Sequence, residues 1–213
     1  KLGEIAVTGF SSFFVDVAMG ILTVLFNRQI MKYLGSDALA VYATVINIST
    51  FVQCCAYSVG QAAQPILSTN YGAGDAARIR KTLSLALGTS MAFAAFWTGL
   101  SELAPGLYIR IFMRPTDAIL AIAPSIIRRY SVSFILLPVN IFSTYYFQSI
   151  LRPKDSFIVS IARGLVVSGL LIFALPAVFV PESIWWAMPL TELVTFAYAG
   201  FAMRRDTRAL SQN

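Results

Sequence analysis

Apolar residues in this chain occur in long runs separated by short polar segments. A transmembrane helix needs about 20 mostly apolar residues, and six stretches satisfy this requirement with few interrupting charges. Because no run alternates at period two over many short strands, the pattern argues against an outer-membrane barrel. The predicted fold is therefore an all-α membrane bundle of six helices in a single unit, residues 1–213, with approximate spans at 10–31, 39–67, 82–101, 124–151, 156–180 and 183–203.

The composition agrees with a membrane protein. Hydrophobic residues make up 57% of the 213 residues and charged residues 12%, whereas a soluble domain carries roughly 25% charged residues. The sequence has no histidine, which excludes a Ser-His-Asp triad and any histidine-containing metal site, and we expect no enzymatic activity. Cys54 and Cys55 are adjacent, a spacing that strains a disulfide, so they are predicted to be small buried apolar residues.

The distribution of basic residues predicts the orientation. With six spans, both termini lie on one side, together with the loops after spans two and four. That side has nine Lys and Arg residues outside the spans and the other has four, which places the termini in the cytoplasm. The net charge of +6 is therefore explained by cytoplasmic loops, and no nucleic-acid partner is expected.

Charged residues inside the predicted spans are candidates for function, because a charge within a bilayer is costly. Asp16 lies about six residues, roughly 9 Å, into the first span; it is either an ion-coupling or substrate site or a wetted interfacial carboxylate. Glu192 lies deeper, and a structural hydrogen-bonding role is favoured for it over ion coupling. Arg163 is expected to snorkel to the cytoplasmic face, and Arg128 and Arg129 to lie at the outer interface.

Neutral polar residues in the spans form a second set of candidates. Pro138 removes a backbone hydrogen bond and is predicted to interrupt the fourth span, close to Asn140. Asn27, Gln53 and Gln64 lie within apolar runs, where such groups either join helices or contact a ligand. The spacing alone leaves both roles open.

Two short segments resemble a known family. Residues 58–66 read SVGQAAQPI, and residues 70–75 read NYGAGD, followed by Arg78 and Arg80. This series resembles the helix end and cytoplasmic loop of the multidrug and toxic compound extrusion (MATE) family. Further on, Arg163-Gly164, and Trp186 with Pro189 and Glu192, resemble the later helices of its bacterial drug-efflux branch. The matching motif residues, for which the resemblance implies structural roles, are Gly60, Pro65, Tyr71, Gly72, Gly74, Arg163, Gly164 and Pro189.

The resemblance implies a larger transporter. Family members have twelve helices in two six-helix lobes, and this chain is similar to the C-terminal lobe. By that likeness it is half of a secondary active exporter of small cationic amphipathic compounds, driven by H+ or Na+ antiport and needing no other cofactor. Its implied partners are the lipid bilayer and an N-terminal six-helix lobe, and its implied location is the bacterial inner membrane. Some sodium-coupled members carry a second acidic residue in this lobe's fourth helix, which this chain lacks.

Three alternatives remain open from the sequence. A flippase of the same superfamily, moving a lipid-linked precursor, would need cationic residues facing the cavity, for which Arg128, Arg129 and Arg163 are candidates. An intramembrane enzyme would need a convergent nucleophile and base. A structural subunit would have every deep polar group paired between helices.

Overall fold

The computed structural model describes the backbone of residues 2–209 and the side chains of residues 17 and 19–207. Within these residues the chain is helical almost throughout and contains no strand. The α-helices are α1 (Leu2–Tyr33), α2 (Gly35–Gly72), α3 (Ala76–Leu103), α4 (Pro105–Phe112), α5 (Asp117–Ser131), α6 (Leu137–Ser149), α7 (Pro153–Ile161), α8 (Val167–Val178) and α9 (Ala187–Ala209).

Two pairs of these helices continue one another. A 3₁₀ turn, Val132–Ile135, joins α5 to α6, and a π-helical turn, Ala162–Val166, joins α7 to α8. In the described part of the chain, four segments are long and apolar enough to cross a membrane: Gly35–Gly72, Ala76–Leu103, Asp117–Ser149 and Pro153–Val178. The spans expected within α1 and α9 stay predictions.

The interruption predicted at Pro138 is observed. Because Pro138 has no amide hydrogen, it is accommodated in the first turn of α6. The preceding turn tightens to 3₁₀ geometry, and the Leu136 amide donates to the Ser133 carbonyl at 3.2 Å. At the other end of this long segment, α5 begins at Asp117, earlier than residue 124, because the Thr116 side chain caps the helix by accepting from the Ile119 amide.

The connection between the third and fourth predicted spans contains an unpredicted helix. Pro105 occupies the first turn of α4, where the amide hydrogen that proline lacks would have no helical partner. Tyr108 on α4 is buried beside Ser101 of α3, and burial raises the pKa of its phenol above the ordinary value. The short helix thereby packs against α2, α3 and α5.

The turn between α2 and α3 explains the end of the NYGAGD segment. Gly74 has a φ of +71°, a conformation that favours glycine. Asp75 then caps α3, since its Oδ1 accepts a hydrogen bond of 3.0 Å from the Arg78 amide. Glycine and aspartate at this spacing are therefore explained by local backbone geometry.

Buried apolar side chains form two clusters, one toward each end of the bundle. The first cluster joins α1 and α2 to α4, α5 and α8, and includes Phe26, Tyr42 and Trp185. The second joins the C-terminal half of α2 to α3, α6, α7 and α9, and includes Leu67 and Tyr146. In sequence, Asn140, Arg163 and Glu192 lie between members of the two clusters, so these polar residues are placed where the clusters meet.

Candidate functional site

A buried ion pair lies in the middle of the bundle. The Arg163 Nε lies 2.6 Å from the Glu192 Oε1, and the Glu192 side chain is fully buried. The Arg163 side chain is 12% exposed, so the snorkelling expected from the sequence is wrong. A carboxylate within hydrogen-bonding distance holds the guanidinium inside, because each charge offsets the other's cost of leaving water.

Asn140 completes this site from a third helix. Its Nδ2 donates to the Glu192 Oε2 at 2.6 Å and to the Glu192 backbone carbonyl at 2.8 Å. With the nitrogen facing two acceptors, the orientation of the amide is fixed by its partners. The Asn140 Oδ1 is buried without a hydrogen-bond partner among the described residues, so the site keeps one unused acceptor. The carboxylate of Glu192 therefore ties α6 and the Arg163 turn to α9.

The local backbone positions Arg163. The residue lies in the π-helical turn, and the Ser168 Oγ donates to the Arg163 carbonyl at 2.9 Å. Short π-helical turns inside α-helices are frequent at functional sites. Gly164 follows Arg163, and a Cβ added there would come within 3.2 Å of the Met19 sulfur on α1. Small size at this position lets α1 approach the turn.

The depth of the site follows from helix geometry. Arg163 lies ten residues after the start of α7, and Asn140 lies nine residues before the end of α6. At 1.5 Å per residue these offsets place both residues about 15 Å from the same end of the bundle. This is half the thickness of a bilayer's hydrocarbon core, about 30 Å, so the ion pair lies near the predicted membrane midplane.

A second polar feature follows α2. One face of this helix carries polar or weakly polar residues at alternating steps of three and four, the spacing of a single helical face. All of them are exposed or half-buried in the isolated lobe. We call this set the polar stripe: Asn47, Thr50, Cys54, Tyr57, Gln61, Gln64 and Ser68.

The polar stripe is about 32 Å long at 1.5 Å per residue, which matches the hydrocarbon thickness of a membrane. It contains no charged residue. By contrast, the segment that contains α8 exposes apolar side chains, as at Val166, Leu170 and Phe173, each at least 47% exposed. An apolar face suits contact with lipid, whereas a polar stripe through the full depth suits a water-filled cavity or a polar partner surface.

Side chains of α6 extend the polar stripe. The rings of Tyr57 and Tyr145 meet edge to face at 6.4 Å between centroids, and the Gln64 Nε2 donates to the Gln148 Oε1 at 3.4 Å. Gly60 lies on the adjoining face of α2 and packs against the Tyr145 ring. Glycine at position 60 therefore allows α6 to bring these polar groups beside the stripe.

A Gly60→Ala substitution is expected to loosen this contact. The added Cβ would overlap the Tyr145 ring, and overpacking of this kind costs about 1–3 kcal/mol in the free energy of unfolding. Denaturation in mixed micelles measures the change. Gly88→Ala on α3 is the matched control, since a Cβ there meets nothing within 4 Å, and its stability should not fall. Equal stability of both variants would contradict the packing role of Gly60.

The remaining sequence candidates are distributed over the lobe. The backbone of Asp16 lies in α1, but its side chain lies outside the described residues. Asn27 and Gln53 are half-buried, and neither side chain is hydrogen-bonded to another described residue. Cys54 is exposed, so the expectation of a buried cysteine there is wrong; it lies on the polar stripe. Cys55 is half-buried.

The other motif residues serve helix geometry and packing. Pro65 lies inside α2 and Tyr71 is half-buried in its last turn. Gly72 ends α2, and Pro189 is buried in the first turn of α9. Arg128, expected at the outer interface, is exposed and donates from Nε to the Glu102 carbonyl at 3.1 Å.

Sequence reasoning missed an ionic network near the end of α9. The Asp155 carboxylate accepts from the Tyr198 hydroxyl at 2.6 Å and from the Arg205 Nη2 at 3.3 Å. Arg205 also donates from Nε to the Asp206 Oδ1 at 2.9 Å, and hydrogen bonding and charge attraction to Asp206 raise the pKa of the guanidinium above its ordinary value. This network fastens α9 to the start of α7. No sequence signal identified it, because its partners lie about 50 residues apart.

These features define a class of protein. Helices long and apolar enough to span a membrane surround a buried ion pair at mid-depth, and one of them presents an uncharged polar stripe over about 32 Å. Among the described residues no cluster of cysteine, aspartate and glutamate could hold a metal ion. The chain thus has the features of a multi-pass membrane protein with a polar surface suited to a water-filled cavity or a polar partner.

The comparisons with known proteins agree. Residues 10–173 match the model of the MatE family, and the chain belongs to that family of membrane transporters, the one its motifs resemble. No curated protein sequence matches it.

Solved structures share the fold. An inward-facing multidrug resistance MATE family transporter of the MOP superfamily matches with a TM-score of 0.89 and 18% identity, over 100% of this chain and 49% of that one. The outward-facing conformation matches with a TM-score of 0.87 and 17% identity, over 96% and 46%. A MOP superfamily transporter from Pyrococcus furiosus, described as having a binding pocket of reversed polarity, matches with a TM-score of 0.86 and 17% identity, over 96% of this chain and 46% of that one. The chain spans about half the length of these proteins.

Proposed function

We propose that this chain is one lobe of a secondary active multidrug efflux transporter that exports cationic amphipathic compounds by proton or sodium antiport. The observation that carries the proposal is the polar stripe of α2, because an uncharged polar face of membrane depth needs a cover other than lipid. A cavity between this lobe and an N-terminal lobe would provide that cover.

The chemistry of the polar stripe suits such substrates. Amide and hydroxyl groups can solvate a polar portion, and the paired rings of Tyr57 and Tyr145 offer aromatic faces that attract organic cations. Cys54 adds a small, soft surface. No step requires covalent chemistry, since export needs only binding on one side and release on the other.

The alternative of a lipid-precursor flippase receives less support. Phosphate groups would call for cationic residues facing the cavity, but Arg163 is already paired with Glu192. The Arg128 guanidinium contacts the Glu102 carbonyl, and the polar stripe contains no lysine or arginine. In this lobe the arrangement suits an uncharged or cationic substrate better than an anionic one.

The lobe is suited to rigid-body motion. Its fold matches the outward-facing and inward-facing relatives about equally, with TM-scores of 0.87 and 0.89. Transporters built from two repeats alternate access largely by rocking one half against the other. We propose that this lobe moves as a unit, with the Arg163–Glu192–Asn140 site holding three helices together. The distribution of Lys and Arg between the two sides predicts cytoplasmic termini, and the family resemblance implies a bacterial inner membrane.

Transport by the isolated lobe tests the proposal. The 213-residue chain is expressed alone and together with an N-terminal lobe in cells lacking their main drug exporters, and efflux of a cationic dye is followed. Efflux that depends on the ion gradient is expected only when both lobes are present, because one lobe supplies half the cavity wall. Efflux by the chain alone would contradict the two-lobe mechanism, and transport of only a lipid-linked precursor would favour the flippase.

A further inference from the structure

An open groove lies on the opposite side of α6 from the polar stripe. Helices α3 and α9 both pack on α6 but scarcely on each other, which leaves a space of about 630 Å³ floored by Val139. Val139 and Gln148 are nine residues apart on α6, and at 100° per residue they point in opposite directions. The groove therefore opens away from the face that we assign to the transport cavity.

The groove is apolar along most of its length and basic at one end. Leu83 and Leu87 of α3 and Phe196 of α9 form its walls, and Arg204 and Thr207 lie at its end. From Phe196 to Arg204 the groove follows α9 for about 12 Å at 1.5 Å per residue, and Thr207 lies one turn beyond Arg204. One leaflet of a bilayer has a hydrocarbon layer of about 15 Å, half of the full core. The groove therefore covers most of the depth of one leaflet, and an acyl chain can lie along it with the headgroup beside Arg204.

The positive charge of Arg204 at this end of the groove is not neutralised by a neighbouring carboxylate. Arg205 and Arg152 are ion-paired with Asp155 and Asp206, so the nearby carboxylates are already occupied. Arg204 is exposed and forms no ion pair with any residue in the described part of the chain. A guanidinium at the membrane surface attracts an anionic headgroup.

We infer that the groove between α3, α6 and α9 binds an anionic phospholipid, with one acyl chain along Phe196 and Leu87 and the phosphate at Arg204. The site is separate from the proposed transport cavity, and its occupant would bridge α3 and α9, which otherwise have little contact. Bound lipid would then stiffen the lobe on the side away from its partner lobe.

Two substitutions test the apolar groove and the charge of Arg204 separately. A Cβ at Gly200, which lines the groove, meets nothing within 4 Å, so Gly200→Leu fills the groove without a clash at its base. Arg204→Gln removes the charge and leaves the apolar walls intact. The matched controls are Gly169→Leu on α8, where an added Cβ also meets nothing within 4 Å, and Lys81→Gln, an exposed cation at the same end of the bundle that points away from the α3 face formed by Leu83 and Leu87.

The full-length transporter is delipidated in detergent and titrated with dioleoyl phosphatidylglycerol or dioleoyl phosphatidylcholine, and bound lipid is counted by native mass spectrometry. We expect phosphatidylglycerol to bind more tightly. Arg204→Gln should weaken phosphatidylglycerol binding about fivefold, which is the effect of one basic residue near a membrane surface. Gly200→Leu should weaken it by about tenfold. Both controls should stay within about twofold of the unaltered protein.

Several results would overturn the inference. Equal binding of the two lipids, or an equal loss in Lys81→Gln, would indicate general attraction to the basic surface. Unchanged phosphatidylglycerol binding in Gly200→Leu would show that the groove holds no lipid. If that variant instead changed dye efflux or the oligomeric state, the groove would be assigned to substrate, to the partner lobe or to a second copy of the chain. Because lipid binding is measured without transport, the result is independent of the proposed function.

Discussion

Replacing Arg163 with methionine is expected to lower the free energy of unfolding by about 3–5 kcal/mol. The substitution keeps a long side chain but leaves the Glu192 carboxylate, which is fully buried, without its counter-charge. Asn140 alone then supports that charge through one side-chain hydrogen bond. Unfolding of the purified transporter in mixed micelles gives the free energy, and loss of the connection between the π-helical turn and α9 should also lower efflux.

A compensating change distinguishes a lost ion pair from lost packing. Arg163→Met combined with Glu192→Gln should recover most of the stability, because the glutamine has no charge to bury and can still accept from Asn140. Arg152→Met is the control: its side chain is 52% exposed and lies 3.7 Å from the Asp206 carboxylate, so its loss should cost under about 1 kcal/mol. Equal effects of Arg163→Met and Arg152→Met would contradict a dry, buried pair.

Asp16→Asn is expected to abolish extrusion driven by a pH gradient. Glu192 already has a fixed counter-charge in Arg163, so a proton arriving there would have to displace the arginine. That leaves Asp16, placed by the sequence within the first span, as the coupling candidate of this lobe. An asparagine can neither release a proton nor hold a cation by charge, so the two states would no longer differ in ion affinity, and only such a difference moves the equilibrium.

Dye efflux from inverted vesicles, driven by a proton gradient or by a sodium gradient, measures this coupling and identifies the ion. Asp37→Asn is the control, because Asp37 is an exposed carboxylate at the start of α2 and its loss removes the same charge without changing the first predicted span. Transport that stays the same at every pH in Asp16→Asn would remove Asp16 from the mechanism and leave coupling to the other lobe.

The local signals in the sequence were good guides to backbone geometry. Pro138 predicted the interruption before α6, because a missing amide hydrogen acts within its own turn. The helix α4 escaped prediction, since Pro105 and Gly106 are as compatible with the first turn of a helix as with a loop. The polar stripe could have been found from its spacing of three and four, which is a property of one helix.

Contacts between distant segments could not be predicted in the same way. Snorkelling was predicted for Arg163 from this residue and its position in the span alone. Glu192, 29 positions later, forms the ion pair that keeps the guanidinium inside the bundle. Asn140 was a candidate from its type and position, but its partner lies 52 residues away. The sequence gives no measure of which helix faces meet, and these pairings depend on that.

By itself, the sequence determined that this protein is a helical membrane protein with the motifs of the MatE family, because hydropathy and turn chemistry are properties of consecutive residues. Only the tertiary structure decided that Arg163, Glu192 and Asn140 form one site, that Cys54 lies on an exposed face, and that a groove opens behind α6. Those outcomes depend on how helices pack, and packing brings together side chains that the chain order keeps far apart.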